Sequence, residues 1–464
     1  MGVTASTVGF VNHASTSAIS LSMPSPRSWL ASFGLASMAR SSLISFLEEA
    51  IRVGQLTIHD KDGTYTFGQS SGGNKVELRV LNDSFWTRVL MSGDLGFSEA
   101  YIIGDVEISD LKTIMDLWLD NQSTMSGLSS TANKIAAAFS GIGNCLAGQT
   151  RSRARLNIIA SYDQSNELFK AFLSKEMMYS CALWTDAEGG VRGDLEGARI
   201  PGDLETAQLR KIRHVLRKAR VKPGDRVLEF GSGWGGLAIE AAKTFGCEVD
   251  SLTLSVEQKA LAEERIKAAG LEGRIRVHLM DYRELPPEFE KAFDAFVSIE
   301  MLEHVGTKYY NTYFKIIDWA LKSENCAAVV TTTTFPEARY SSYQPEDFMR
   351  RYMWPNTNLP SATALVTAAQ TASQGRFTLE GVENHASHYP RVLREWGRRF
   401  DANVTQEKLM KDFPALKNRA EYDAFTRKWH YLFVYAATGF AKGYITSHML
   451  TFVRENAMPE HECY

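Results

Sequence analysis

Cysteine is scarce and scattered in this 464-residue chain: five thiols (Cys145, Cys181, Cys247, Cys326 and Cys463), an odd number with no C-x-x-C pair. That excludes a disulfide framework and a cysteine-rich zinc site, and fits a reducing compartment. An excess of charge is lacking too. Lys and Arg number 51 against 54 Asp and Glu, a formal net charge of −3, so a generally basic nucleic-acid binder is excluded. No uncharged apolar run approaches the ~18 residues needed to span a bilayer. The most tempting segment, Trp29 to Leu47, is Ser-rich and interrupted by Arg40. Any membrane contact must therefore be peripheral. No H-E-x-x-H or comparable ligand spacing occurs, so no catalytic metal is expected.

Acidic residues are missing altogether from Met1 to Leu47, where Ser and Thr abound and Arg27 and Arg40 carry the only formal side-chain charges. This stretch has the composition of a mitochondrial-type transit peptide, and Gly2 with Ser6 satisfies the N-myristoylation pattern; a disordered extension is the plainer reading. Residues 1–37 are accordingly read as a tail, with helical apolar spacing starting near Ser37. Residues 38–121 read as a small α+β domain. Period-two apolar residues flank an Asp62-Gly63 turn, two helices follow at Asp83 to Leu90 and Glu99 to Gly104, and a third begins behind the N-cap candidate Asp110. Residues 122–150, rich in Ser, Gly and Ala, read as a linker with one weak helix. Two basic clusters stand out, Arg151/Arg153/Arg155 and Arg210 to Lys222. Each is either a solvated face or a docking surface for an anionic bilayer.

The remainder, 151–464, carries the strongest pattern. Arg226-Val-Leu-Glu-Phe-Gly-Ser-Gly-Trp-Gly-Gly236 is a short apolar strand running into glycines and then a helix. Glycines let the backbone approach a ligand closely, and the helix start offers unpaired N–H groups. Further strands are expected at Glu248 to Leu254, Ile275 to Leu279, Phe293 to Ser298 and Ala327 to Thr332, with a helix over Ser255 to Ala269. Alternation of strand and helix predicts an α/β, Rossmann-like doubly wound sheet with its ligand at the carboxyl ends of the strands. A dinucleotide would want an acidic residue closing the second strand. Thr253-Leu254-Ser255 stands there, while Asp281 closes the third, which suits S-adenosylmethionine better. Asn384 to Asn456 is read as helices rich in aromatic residues that cover the sheet and line a channel.

With these residues in hand, the chain resembles the cyclopropane-fatty-acyl-phospholipid synthases and the related mycolic acid cyclopropane synthases. Four stretches carry the resemblance: Met178-Tyr-Ser-Cys-Ala-Leu-Trp184, Val227 to Gly236, Asp281-Tyr-Arg-Glu-Leu285 and Glu300-Met-Leu-Glu-His-Val-Gly306. Gly93-Asp-Leu-Gly-Phe-Ser-Glu-Ala-Tyr101 resembles the small lipid-associated domain of the long members. The resemblance implies transfer of a methylene group from S-adenosylmethionine to the double bond of an unsaturated phospholipid acyl chain. It implies a cofactor site made by Tyr179, Ser180, Gly231, Gly233, Thr253, Gln258, Asp281 and Tyr282.

For the reacting centre the resemblance implies a bound bicarbonate as base, held by Cys181, Glu303, Tyr389 and a histidine. That histidine is missing, and Thr331 stands in its place. A threonine hydroxyl can hydrogen-bond an anion but carries no charge at neutral pH. Aromatic faces are expected to favour the cationic chain by cation–π attraction, the candidates being Tyr309, Tyr310, Phe314, Tyr352, Trp354, Tyr389, Trp396 and Phe440. Three alternatives stay open: a lipid C-methyltransferase giving a methyl or methylene branch, a small-molecule N-methyltransferase like those of plant alkaloid synthesis, and a catalytically dead lipid binder. The partner expected is a phospholipid membrane surface met from the cytoplasm, without nucleic acid; a homodimer is left open.

Overall fold

A computed structural model describes residues 26–69, 73–125 and 165–455, without the side chains of 26–33. The targeting signals of the first residues, the Arg151/Arg153/Arg155 cluster and most of the linker lie outside these residues. Within the linker, Gln122–Met125 form a helical turn. Among the described residues no helix is long and apolar enough to cross a membrane.

The first helix spans Pro26–Ala50, starting ahead of the apolar spacing near Ser37. It packs on the kinked helix Ser84–Ile103 beside a four-stranded sheet of order β2-β1-β3-β4. The strands are β1 (Gln55–Asp60), β2 (Gly63–Gly68), β3 (Lys75–Val80) and β4 (Val106–Ile108). The β1–β2 hairpin is fixed by Asp60, whose carboxylate accepts the N–H groups of Asp62 and Gly63. The two helices expected between Asp83 and Gly104 are one, Ser84–Ile103, bent at Gly93, where φ is 56°. A break in apolar periodicity looks the same in sequence whether the helix stops or kinks. Asp110 does cap the helix Leu111–Asp120, accepting the N–H of Thr113.

The larger sheet has seven strands in the order β10-β11-β9-β8-β5-β6-β7. β5 (Arg226–Phe230), β6 (Glu248–Thr253), β7 (Ile275–Leu279), β8 (Ala295–Ile299) and β9 (Ala327–Thr334) are parallel, as the alternation predicts. Val227, Leu228 and Phe230 are fully buried, as a strand covered on both faces requires. β10 (Thr378–Asn384) and β11 (Thr446–Val453) add an antiparallel edge. β11 corrects the helical reading of Asn384 to Asn456. Its second half, Met449 to Val453, is buried on both faces, and such a run shows no alternation by which to tell strand from helix. From β5 the sheet grows first toward β7 and then, from β8, toward the other edge, and this switch of strand order between the parallel neighbours β5 and β8 opens a crevice above their carboxyl ends.

Over that crevice lie the helices Tyr389–Asn403 and Arg419–Ala441, packed on each other. The second also packs on Ser84–Ile103 and Leu111–Asp120, so it joins the N-terminal elements to the sheet. The basic cluster at 210–222 turns out to be largely committed within the protein. Lys211 is buried, and Arg210 pairs with Glu188, Arg213 with Glu240, His214 and Lys218 with Glu383, and Arg220 with Glu380. Partnered charges of this kind make a poor docking surface.

Candidate functional site

At the carboxyl end of β5 the backbone turns through Gly231 (φ 89°) and Gly233 (φ 48°), a conformation that side chains with a Cβ rarely adopt. Gly231 and Ser232 donate their N–H groups to the Leu252 carbonyl, drawing the loop against β6. A Cβ on Gly231 would lie 3.2 Å from that of Met301, so the cradle fits glycine. Thr253, closing β6, donates its hydroxyl to Gln258 (2.8 Å). Asp281, beyond β7, is held below the usual carboxylate range by hydrogen bonds from Arg283. The Tyr282 ring packs on Phe230 and Tyr313. Glycine cradle, strand-end hydroxyl and strand-end carboxylate thus converge, a donor and acceptor set that suits the amino-acid tail, ribose and adenine of S-adenosylmethionine. Of the remaining expected members, Ser180 receives the buried Lys211 ammonium (2.6 Å), and Tyr179 packs its ring against Trp396 and Phe169 on the wall of the cavity that also holds Glu300 and Glu303.

Beyond β8 stands Glu300, a residue that sequence reasoning passed over. It adopts φ 51°, strained for a residue with a side chain. Its half-buried carboxylate accepts the Cys181 N–H (2.9 Å) and the Tyr389 hydroxyl. Glu303 follows one helical turn later. Its Oε1 accepts the Thr333 N–H (2.6 Å), while its buried Oε2 has no partner. Burial pushes the Glu303 carboxyl up to about 8, helped by the negative charge of Glu300. Burial likewise raises Glu300 against the opposing pull of Lys211, and lifts the Cys181 thiol and Tyr389 phenol well above their ordinary values. Thr331 is buried on β9 with its hydroxyl unpaired; Thr333, two residues on, is the one that meets Glu303.

This geometry tests the bicarbonate expectation. The Cys181 segment and Tyr389, two of the groups expected to hold that anion, already point donors at the Glu300 carboxylate, and the Cys181 thiol faces the carbonyls of Ala182 and His385. The residues do not fit a bicarbonate there, because Glu300 brings a carboxylate of its own. The signal available in sequence was a second acid three residues before Glu303, at a strand end.

Glu300, Glu303 and Tyr389 form one end of a largely apolar cavity of about 280 Å³. One wall comes from the N-terminal elements (Phe97, Ile114, Met115 and Trp118), the other from the covering helices (Leu393, Trp396, Leu432, Ala436 and Phe440). Tyr389 and Phe440 stack with centroids 4.2 Å apart and planes at 6°. Of the aromatic candidates, Trp354, Tyr389, Trp396 and Phe440 line the cavity. The others do not: Tyr310 and Phe314 belong to the core around the sheet, the Tyr352 hydroxyl binds Glu99, and Tyr309 carries Lys308 over its ring. His304 also lines the cavity.

Comparison with known proteins agrees with this arrangement. Residues 149–450 match the family model for mycolic acid cyclopropane synthetase. The chain is 30% identical over 376 residues to the tuberculostearic acid methyltransferase of Mycobacterium tuberculosis, covering 80% of this chain and 82% of that protein. It is 32% identical over 334 residues to the cyclopropane-fatty-acyl-phospholipid synthase of Escherichia coli, covering 71% and 78% respectively. Two solved structures share the fold. A cyclopropane synthase from Mycobacterium tuberculosis has a TM-score of 0.51 at 22% identity over 64% of this chain and 98% of its own. A coclaurine N-methyltransferase has a TM-score of 0.57 at 20% identity over 77% and 98%. Glycine cradle, carboxyl pair and apolar cavity therefore belong to a member of the mycolic acid cyclopropane synthetase family, an S-adenosylmethionine-dependent methyltransferase that transfers a one-carbon unit to a lipid.

Proposed function

We propose that the protein adds a methylene bridge across the double bond of an unsaturated phospholipid acyl chain, forming a cyclopropane ring. The observation that carries this reading is the meeting of an aromatic-lined cavity with two carboxyl groups, the half-buried Glu300 and the buried Glu303, at the strand ends beside the glycine cradle. S-adenosylmethionine, held by Gly231, Gly233, Thr253, Gln258 and Asp281, supplies an electrophilic methyl group. An alkene is a feeble nucleophile, so alignment in a dry cavity has to do most of the work. Trp396, Phe440 and Tyr389 grip the chain, and their ring faces favour positive charge developing on it without capturing it. Ring closure then needs a base in an apolar place. Glu303 suits that step in its ionised form: its Oε2 has no partner, and with a pKa of about 8 the carboxylate, present in a minority of molecules at pH 7 and in a growing share as pH rises, is a strong base. Glu300 anchors Tyr389 and the Cys181 segment, and its charge keeps Glu303 basic.

A second reading, a methyl or methylene branch in place of the ring, is favoured by one feature, Thr331 where the ring-forming relatives are expected to carry histidine. Expression in a host lacking cyclopropane lipids separates the two. Lipid mass spectrometry is expected to show unsaturated phospholipids heavier by one CH2, in chains that resist both hydrogenation and ozonolysis. Ozonolysis of the new chains would indicate a methylene branch or a displaced double bond. No mass gain in any lipid would refute both readings.

A further inference from the structure

On the far side of the Cys181 segment from the cavity, three metal-ligating side chains meet. His214 comes from the helix Asp203–Lys218, Glu383 from β10, and His385 from the turn just after it. Their donor atoms lie within 4.8 Å of one another. One oxygen, Glu383 Oε2, faces both imidazoles, 2.7 Å from His214 Nε2 and 3.2 Å from His385 Nε2. The other oxygen, Oε1, is turned to Lys218 Nζ at 3.0 Å. We propose that His214, Glu383 and His385 bind one divalent transition-metal ion of the zinc and cobalt class.

The chemistry of the donors selects that class. Two imidazoles and one carboxylate suit zinc and cobalt, whereas calcium and magnesium want six or more oxygens. Ligand atoms around a tetrahedral zinc ion sit about 3.3 Å apart. The Glu383–His385 pair is already at that spacing, and the Glu383–His214 pair must open by about half an ångström. The Lys218 contact keeps its place when Oε2 binds, and there it orients the carboxylate as outer partners of metal ligands do. The ligands are partly buried, with side-chain exposures of 29% for His214, 31% for Glu383 and 15% for His385, so one coordination position stays open to water.

The site would act on the reaction from behind. The His385 carbonyl faces the Cys181 thiol (3.7 Å), its N–H is bonded to Ser447 on β11, and the turn Ala386–His388 leads directly into Tyr389. An ion tying His385 and Glu383 to the helix of His214 therefore pins the segment that presents Tyr389 to Glu300.

The test uses the full chain, stripped with a chelator, titrated calorimetrically with Zn2+ and spectroscopically with Co2+. One ion per chain is expected, with the intense visible absorption of four-coordinate cobalt. His214→Ala and Glu383→Gln should each weaken zinc binding at least about a hundredfold, since losing a ligand costs more than losing an outer partner. His430→Ala, which removes an imidazole paired with Asp401 elsewhere, should leave it unchanged. Thermal unfolding without metal checks that the variants are folded, and a zinc-induced rise in melting temperature is expected for the unaltered protein but not for His214→Ala. Absence of stoichiometric binding, or variants that bind as tightly as the unaltered protein, would overturn the assignment.

Discussion

Glu303→Gln separates chemistry from architecture at the reacting centre. Glutamine keeps the Oε1 acceptor for the Thr333 N–H and places an amide where the unpaired Oε2 now lies, so the fold should survive. If Glu303 takes the proton, the rate of one-carbon transfer should fall by roughly 10²- to 10⁴-fold, the usual contribution of a general base. Stability should move the other way. The ordinary glutamate value is 4.5 and burial with the Glu300 charge raises it to about 8 in the folded protein. Between those limits the unfolded chain has released a proton that the folded chain still holds. Stability therefore declines as pH rises, by about 1.4 kcal/mol per pH unit for a single proton. Carried across the interval this amounts to up to about 5 kcal/mol, and the variant should lack the decline. Labelled methyl transfer into vesicles of unsaturated phospholipid reads the first effect, and urea unfolding at pH 5 and pH 8 reads the second. Turnover equal to that of the unaltered protein would refute the role in proton transfer, and an unchanged dependence of stability on pH would refute the buried, raised carboxyl.

Glu300→Gln removes the charge that helps hold Glu303 up, so any remaining activity should have the midpoint of its pH–rate profile displaced to lower pH, with cofactor affinity retained; an unmoved midpoint would count against the coupling. Gly231→Ala sets a Cβ 3.2 Å from Met301 at φ 89°, a conformation costing about 1–2 kcal/mol, and calorimetry should show S-adenosylmethionine binding about tenfold weaker. Unchanged affinity would mean that the cradle is only a turn. Asp250→Asn tests the sheet away from the site. Burial alone would raise this carboxyl, yet hydrogen bonds from His278, Arg276 and Arg226 hold it well below the usual range. The variant leaves the guanidinium groups of Arg226 and Arg276 without the anion they share and should lose about 3 kcal/mol at pH 7 by urea unfolding. That loss should shrink as pH falls below the ordinary value of 3.8, where the pairing stabilises the unaltered protein less; a loss independent of pH would refute the charge pairing.

What could be read from the sequence was what neighbouring residues decide among themselves. The parallel strands declare themselves as short apolar runs because both faces are covered, and the turn after Phe230 needs glycine for reasons local to its φ angles. Asp110 caps its helix and Asp60 its hairpin by bonds that reach only two or three residues along the chain. The rest depends on partners that only folding brings together. Ile114, Met115 and Trp118 recur at helical spacing within Leu111–Asp120, but nothing local tells that they line a cavity together with Leu432 and Phe440. Charge shows the same divide. Arg210 to Lys222 reads as a basic face until Glu188, Glu240, Glu380 and Glu383 arrive from three other elements to pair with it. His214 and Glu383 stand 169 residues apart, beyond any ligand-spacing motif. Glu300 is the instructive case. It lies in the same short stretch as Glu303, yet what makes it matter is a left-handed backbone turn and two donors, Cys181 from 119 residues upstream and Tyr389 from 89 downstream. A motif can nominate acids; only the fold decides which one receives the donors and which is left with an unpaired oxygen, and the proposal that Glu300 anchors while Glu303 acts as base rests on that division.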